Sequence, residues 1–293
     1  HRDLHSFPTR RSSDLITTSG DSGNVRVTGT RTYNTGSFIY NGSSAQVTGD
    51  GLPATLDDLI IANAAGLTLN GTHTINGVCT VNAGALLLGT GTINGVVTIQ
   101  GSVAPGGSVG TLATGSQTWN GGGSYVWEIN QATGGAGIGY DQLDAGNGQI
   151  TVNATSENRF TLRLVTLNGS SPGQAADFDP NGSYTWVVAR GGSVSGFDQN
   201  KFIIDASAFQ NDPGAGYFTL EQSGSDIRLR FSSQLTVATT NLTSGVVQET
   251  YTAALEARGG AEPYAWSVID GSLPPGPTLN SAGVLGRTPG EAG

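Results

Sequence analysis

The sequence predicts an all-β chain wound as a solenoid, and three observations carry that expectation. Residues 67–84 recur, at an offset of 18, as residues 85–102. Glycine supplies 46 of the 293 residues without a three-residue period, which disfavours helix and excludes collagen. Val, Ile, Leu and aromatic residues return in short alternating runs throughout, the mark of half-buried strands rather than of a disordered chain.

Taken in order, the first fifteen residues, HRDLHSFPTRRSSDL, resemble a short-read sequencing adapter translated as protein. Residues 1–15 are therefore expected to be an adapter-derived artefact, and such a segment is set aside before fold reasoning. It holds two of the three histidines, His1 and His5. Without Arg2, Arg10, Arg11, Asp3 and Asp14, ten basic and twenty acidic residues remain, a net charge of about -10. The expected start of the native part is Ile16, inside a longer reading frame.

Residues 16–122 are expected to form the solenoid. Between the two repeats, Leu69, Gly71, Thr72, Thr74, Ile75, Asn76, Gly77, Val78 and Thr80 match Leu87, Gly89, Thr90, Thr92, Ile93, Asn94, Gly95, Val96 and Thr98. Such a unit cannot bury its apolar face alone, whereas stacked copies can, with rungs about 4.8 Å apart. This register predicts Ile75 above Ile93 inside the coil, with Asn76-Gly77 and Asn94-Gly95 turning corners through positive φ. The competing arrangement is an array of hairpins, since Asn-Gly is also the best hairpin turn.

Residues 123–234 carry longer alternating strands at Tyr125–Ile129, Phe160–Val165, Tyr184–Ala189 and Ile227–Phe231, and Trp127 and Trp186 are candidate core anchors. The expectation is a β cap, or sandwich-like β domain, covering the open end of the solenoid, with a turn of helix between Lys201 and Phe209.

Two resemblances extend this reading. Phe38–Gly49, Gly51–Thr55 and Leu59–Asn63 resemble the passenger-associated repeats of bacterial autotransporter-like proteins. Ser102-Val103-Ala104-Pro105-Gly106-Gly107-Ser108-Val109-Gly110-Thr111-Leu112 resembles that family's closing segment, and Tyr140-Asp141-Gln142-Leu143 a stretch that commonly follows it. The likeness covers about 36–145 and implies a right-handed β-helix at the bacterial cell surface. From 235 to 293, Pro263-Tyr264-Ala265-Trp266, Gly271-Ser272-Leu273-Pro274-Pro275-Gly276 and Thr288-Pro289-Gly290 resemble an Ig-like domain common in bacterial surface proteins. Pro277 and Gly286-Arg287 depart from its pattern. That family continues beyond the point reached at Gly293, so a truncated, unstable Ig-like sandwich with an open edge around Trp266 is expected.

No catalytic, cofactor-binding or metal-binding residue is expected. Gly20-Asp21-Ser22-Gly23 matches the surroundings of a serine nucleophile, yet the only native histidine, His73, lies in the repeat. Asp177-Phe178-Asp179-Pro180-Asn181-Gly182 starts like a calcium loop, but Val188 stands where the bidentate Glu belongs. Cys79 aligns with Val97 and reads as a small buried residue. One Cys and one His cannot assemble a zinc site. Asp57 and Asp58, if in a strand, face opposite ways, and residues 67–102 contain no Asp, Glu, Lys or Arg, so no carboxylate pair for glycan cleavage lies there.

An acidic chain whose only lysine is Lys201 offers nucleic acid no electrostatic footprint. No membrane-spanning stretch or disulfide framework is visible. These observations, with the resemblances, imply an extracellular, monomeric spacer or adhesin stalk without catalysis. Its partners would be glycans or other surface proteins. The alternatives are a carbohydrate-binding module and the accessory region of a large secreted glycan-degrading enzyme.

Overall fold

The computed structural model describes residues 36–246, 249–258, 260, 263–274 and 276–287. The adapter-like segment, the rest of residues 16–35 with its Gly20–Gly23 motif, and Thr288–Gly293 lie outside the described residues.

The described chain is all-β, with two short 3-10 turns and no α-helix. Strands stack in three columns of parallel pairs, visited always in the same sequence. The first column holds Phe38–Tyr40, Leu59–Ile61, 78–81, 96–99, Gln117–Trp119, Gln149–Val152 and Ser193–Ser195. The second holds Gln46–Val47, Leu67–Leu69, Leu86–Gly89, Ser102–Pro105, Ser124–Ile129, Phe160–Asn168 and Phe202–Ala208. The third holds Thr55–Leu56, 72–75, 92–94, Thr111–Thr114, Gln142–Asp144 and Ser183–Arg190. This is a β-solenoid. A hairpin array would pair neighbours antiparallel, and these pairs are parallel.

The winding does not change character at 123. Tyr125 pairs with Val103 below and Leu162 above, and Leu162 with Ile204. The expected separate β cap over 123–234 is thus corrected: most of that stretch is further coil. Its coils are longer because loops swell between the columns. Gln117 to Ile150 is 33 residues and Ile150 to Val194 is 44. Parallel pairing tolerates such outward loops, since only the strands must keep register. The third column then gains Asp226–Ser232 and Tyr217–Ser223. The helical turn expected after Lys201 is a 3-10 turn at Gln199–Lys201, capped by Asp198, and Phe202–Ala208 is strand.

The 18-residue register holds on one column only. Val78, Cys79, Thr80 and Val81 pair with Val96, Val97, Thr98 and Ile99, whereas Thr72 pairs with Thr92, His73 with Ile93 and Leu67 with Leu87, an offset of 20. An irregularity between Thr74 and Val78 absorbs the difference, so Ile75 does not sit under Ile93. Nor do Gly77 and Gly95 adopt positive φ. Glycine is needed there for close approach. A Cβ on Gly95 would lie 2.5 Å from the Ile75 oxygen, and one on Gly115 2.5 Å from the Gly95 oxygen. Positive φ is found instead at Gly71, Gly84 and Gly89, at +76°, +79° and +108°.

Alternation fills the interior. Leu59, Cys79, Val97 and Ile150 line one stack and Ile61, Val81, Ile99 and Val152 another, all essentially sealed from solvent. Each such side chain contributes about 1.5–3 kcal/mol of burial. Toward the later, longer coils the core turns aromatic: Trp119 stacks on Phe160 at 4.9 Å, and Trp127 packs against Trp186 at 5.5 Å.

The described residues form two compact units. One runs to Phe178 and adds Thr185–Asn211 and Thr219–Arg230; the other comprises Asp179–Tyr184, Asp212–Phe218 and the chain from Phe231. In the second, Phe231 is sealed by Phe218 and Tyr184, with centroids 5.1 and 6.2 Å away. Beyond it, pairing is antiparallel: Thr236–Val237 with Ala257–Arg258, and Tyr251–Ala254 with Val284–Arg287. Gly283 lies against the half-buried Trp266 indole, where a Cβ would fall 2.7 Å from Nε1.

Candidate functional site

A buried polar arrangement in the first unit joins the two motifs singled out around residues 102–112 and 140–143. The closing segment leaves the second column at Pro105 and enters the third at Thr111. Gly106 turns at φ +84° and exchanges both backbone hydrogen bonds with Gly89, at 2.9 and 3.0 Å. Gly110 passes so close to Gly106 that a Cβ would lie 2.9 Å from its Cα.

Asp141 then fastens this loop from the coil above. Its carboxyl group accepts the Gly110 amide at 2.7 Å and the Glu128 amide at 3.0 Å. The Gln142 amide donates to the Gly110 carbonyl at 3.0 Å, so Asp141 and Gln142 satisfy both polar groups of Gly110. The Trp127 indole N–H donates to the Asp141 carbonyl at 2.8 Å, and the Asp141 amide to the Glu128 carbonyl at 2.8 Å. Gln142 Nε2 reaches the Val187 carbonyl at 3.1 Å, tying in the next rung. Burial pushes the Asp141 carboxyl up to about 9, against the two amides, which favour the carboxylate. Tyr125, also sealed, is held well above its ordinary range, first by burial and then by Asp141. The arrangement is a staple between coils; Asp141 is fully buried and presents no open face to a substrate.

The other singled-out residues are likewise absorbed by packing. Trp127 and Trp186 are 0% and 2% exposed, and the Trp186 indole donates to the Ala132 carbonyl at 2.9 Å. Cys79 is sealed between Leu59 and Val97, and burial pushes its thiol up to about 12. The His73 ring is buried, with Nδ1 2.8 Å from the Pro53 oxygen and Nε2 2.9 Å from the Asn70 oxygen. Asp57 and Asp58 do not lie in a strand but at the bend before Leu59. Asp58 accepts the Ser37 hydroxyl and the Val78 amide there. Asp177 accepts Gln131 Nε2 and the Thr133 hydroxyl; Asp179 accepts the Asn181 amide. Among the described residues no three His, Cys, Asp or Glu side chains converge as metal ligands. Among those residues no helix is long and apolar enough to cross a membrane.

One open depression, about 520 Å³, lies outside the second column among Gly122, Glu157, Asn158, Arg159, Thr161 and Ile203. Its polar groups largely satisfy one another: Arg159 Nε donates to the Ser156 carbonyl, the Ser156 hydroxyl to Glu157, and the Asn158 amide to Thr155.

Sequence reasoning did not assign Asp141 a role. The available signal was an acid in the Tyr140–Leu143 motif, 31 residues beyond the glycine it holds. Compared with known proteins, the chain matches no family model and no curated sequence.

Proposed function

We propose that the chain is a structural segment of an exported bacterial surface protein, a stiff spacer or adhesin stalk that holds other modules away from the cell and performs no catalysis itself. The observation that supports this reading best is the unbroken winding of three strand columns from Phe38 to Ala208. Along that path the aromatic residues and singled-out acids are spent on packing and on inter-coil hydrogen bonds. Backbone pairing up and down a stack resists bending, and length grows by about 4.8 Å with each coil. The autotransporter-like motifs agree with an extracellular place.

A glycan-binding role for residues 123–234 has less support, because Trp127 and Trp186 are core residues rather than an exposed platform. The sequence of the parent gene on both sides of this chain is the test. A signal peptide on one side and an outer-membrane barrel or sorting tail on the other supports the stalk. A catalytic domain in the same frame makes this segment the accessory arm of an enzyme and overturns it.

A further inference from the structure

The chain contains eight Asn-Gly dipeptides, at Asn41, Asn70, Asn76, Asn94, Asn120, Asn147, Asn168 and Asn181. Asn-Gly is the dipeptide most prone to spontaneous loss of ammonia, because glycine leaves its own amide nitrogen unshielded. The reaction needs three things: a free asparagine side chain, an uncommitted glycine N–H, and a backbone able to swing that nitrogen onto Cγ. The fold treats the eight sites very differently.

Gly77 donates to the Asp57 carbonyl at 2.7 Å, Gly148 to Ala145 at 2.7 Å, Gly182 to Asp179 at 2.9 Å and Gly42 to Gln46 Oε1 at 3.0 Å. Gly95 is inside a strand, crowded by the Ile75 carbonyl. The Asn120 side chain is held by Asn153 Nδ2 at 2.8 Å. At Asn70 the carbonyl lies 2.9 Å from His73 Nε2 and accepts the Thr48 hydroxyl. Asn168 differs from these, Asn70 excepted, in combining a free side-chain amide with an uncommitted glycine N–H. It is exposed at the tip of the hairpin between Phe160–Asn168 and Ser171–Pro172, and the Gly169 N–H and the Asn168 amide group make no hydrogen bond among the described residues.

We propose that Asn168 is a modification site, a position at which the folded solenoid deamidates without an enzyme, while the fold protects the positions whose glycine N–H or asparagine side chain is committed. The Gly169 nitrogen attacks Asn168 Cγ, a C–N bond forms, and the Cγ–Nδ2 bond breaks. The departing nitrogen leaves as ammonia with the proton lost by the Gly169 amide, and a succinimide remains. Water then adds across one of the two imide carbonyls, giving aspartate or isoaspartate. Isoaspartate carries an extra backbone carbon at the end of a strand whose Leu167 and Asn168 pair with Pro172 and Ser171, so the product loosens that hairpin.

The test is a time course of the whole chain in mildly alkaline buffer at body temperature, run folded and in concentrated urea, with each dipeptide followed by peptide mapping and mass spectrometry. In urea all eight sites react at comparable rates. Folded, Asn168 keeps a rate close to its unfolded one, while Asn76 and Asn147 slow roughly tenfold or more, since their glycine N–H must first be released by local opening. Asn147 is the sharp control, because it is exposed but its glycine is bonded. Asn147 or Asn76 reacting as fast as Asn168 in the folded chain overturns the proposal. So does an inert folded Asn168 beside a reactive unfolded one.

Discussion

Replacing Asp141 with alanine removes the acceptor for two amides in the coil interior. Gly110 and Glu128 donate to its two carboxyl oxygens at 2.7 and 3.0 Å. A buried N–H left without a partner costs about 1–3 kcal/mol, so Asp141→Ala destabilises the solenoid unit by about 2–6 kcal/mol. Asp141→Asn keeps one oxygen but turns an NH2 toward the other amide, and costs about 1–3 kcal/mol. The assay is urea unfolding read by tryptophan fluorescence, with Trp127, which donates to the Asp141 carbonyl, reporting the staple itself. The expected order of midpoints is parent, Asp141→Asn, Asp141→Ala, with unchanged slopes. If both variants unfold within about 0.5 kcal/mol of the parent, as surface substitutions do, Asp141 holds nothing and the reasoning fails.

The same carboxyl sets a pH dependence. Its pKa is raised from 3.8 to about 9 in the fold, so between these values the native state binds a proton that the unfolded chain has lost. Stability is then full below about 4, falls as pH rises toward 9, and this slope flattens in Asp141→Asn, as urea midpoints across that range will show. Gly115→Ala places a Cβ 2.5 Å from the Gly95 oxygen and costs about 1–3 kcal/mol by overpacking, while Gly107→Ala, with open space around it, is near neutral by thermal melting. Trp119→Ala empties the stack against Phe160 and costs about 3–5 kcal/mol in the same urea assay. Cys79, sealed and with its thiol raised to about 12, reacts with iodoacetamide only once urea unfolds the chain.

The solenoid was legible because residues 67–102 repeat closely enough to align, and alternation marked Ile75 and Ile93 as inward, where both are buried. The register was legible only in part. Two residues absorbed between Thr74 and Val78 move His73, not Ile75, against Ile93, and identity of side chains could not reveal an insertion that preserved the motif around it. The continuation past 122 was hidden for a different reason. Coils of 33 and 44 residues share no period with the earlier ones, and stacked parallel strands leave no trace of their partners in sequence. Asp141 was invisible as a staple because its two donors lie 31 and 13 residues away. Trp127 and Trp186, by contrast, were readable as core from their places in alternating strands.

Spin labels at Thr80 and Ser195 probe the winding most directly. These outward positions belong to one line of paired residues, Thr80, Thr98, Thr118, Thr151 and Ser195, in the first column. In a Cys79→Val background, dipolar spectroscopy between cysteines placed at the two sites should give a narrow distribution near four rungs, about 19 Å between backbones. A broad distribution, or one centred far beyond that distance, would mean that the coils after residue 122 do not continue the stack.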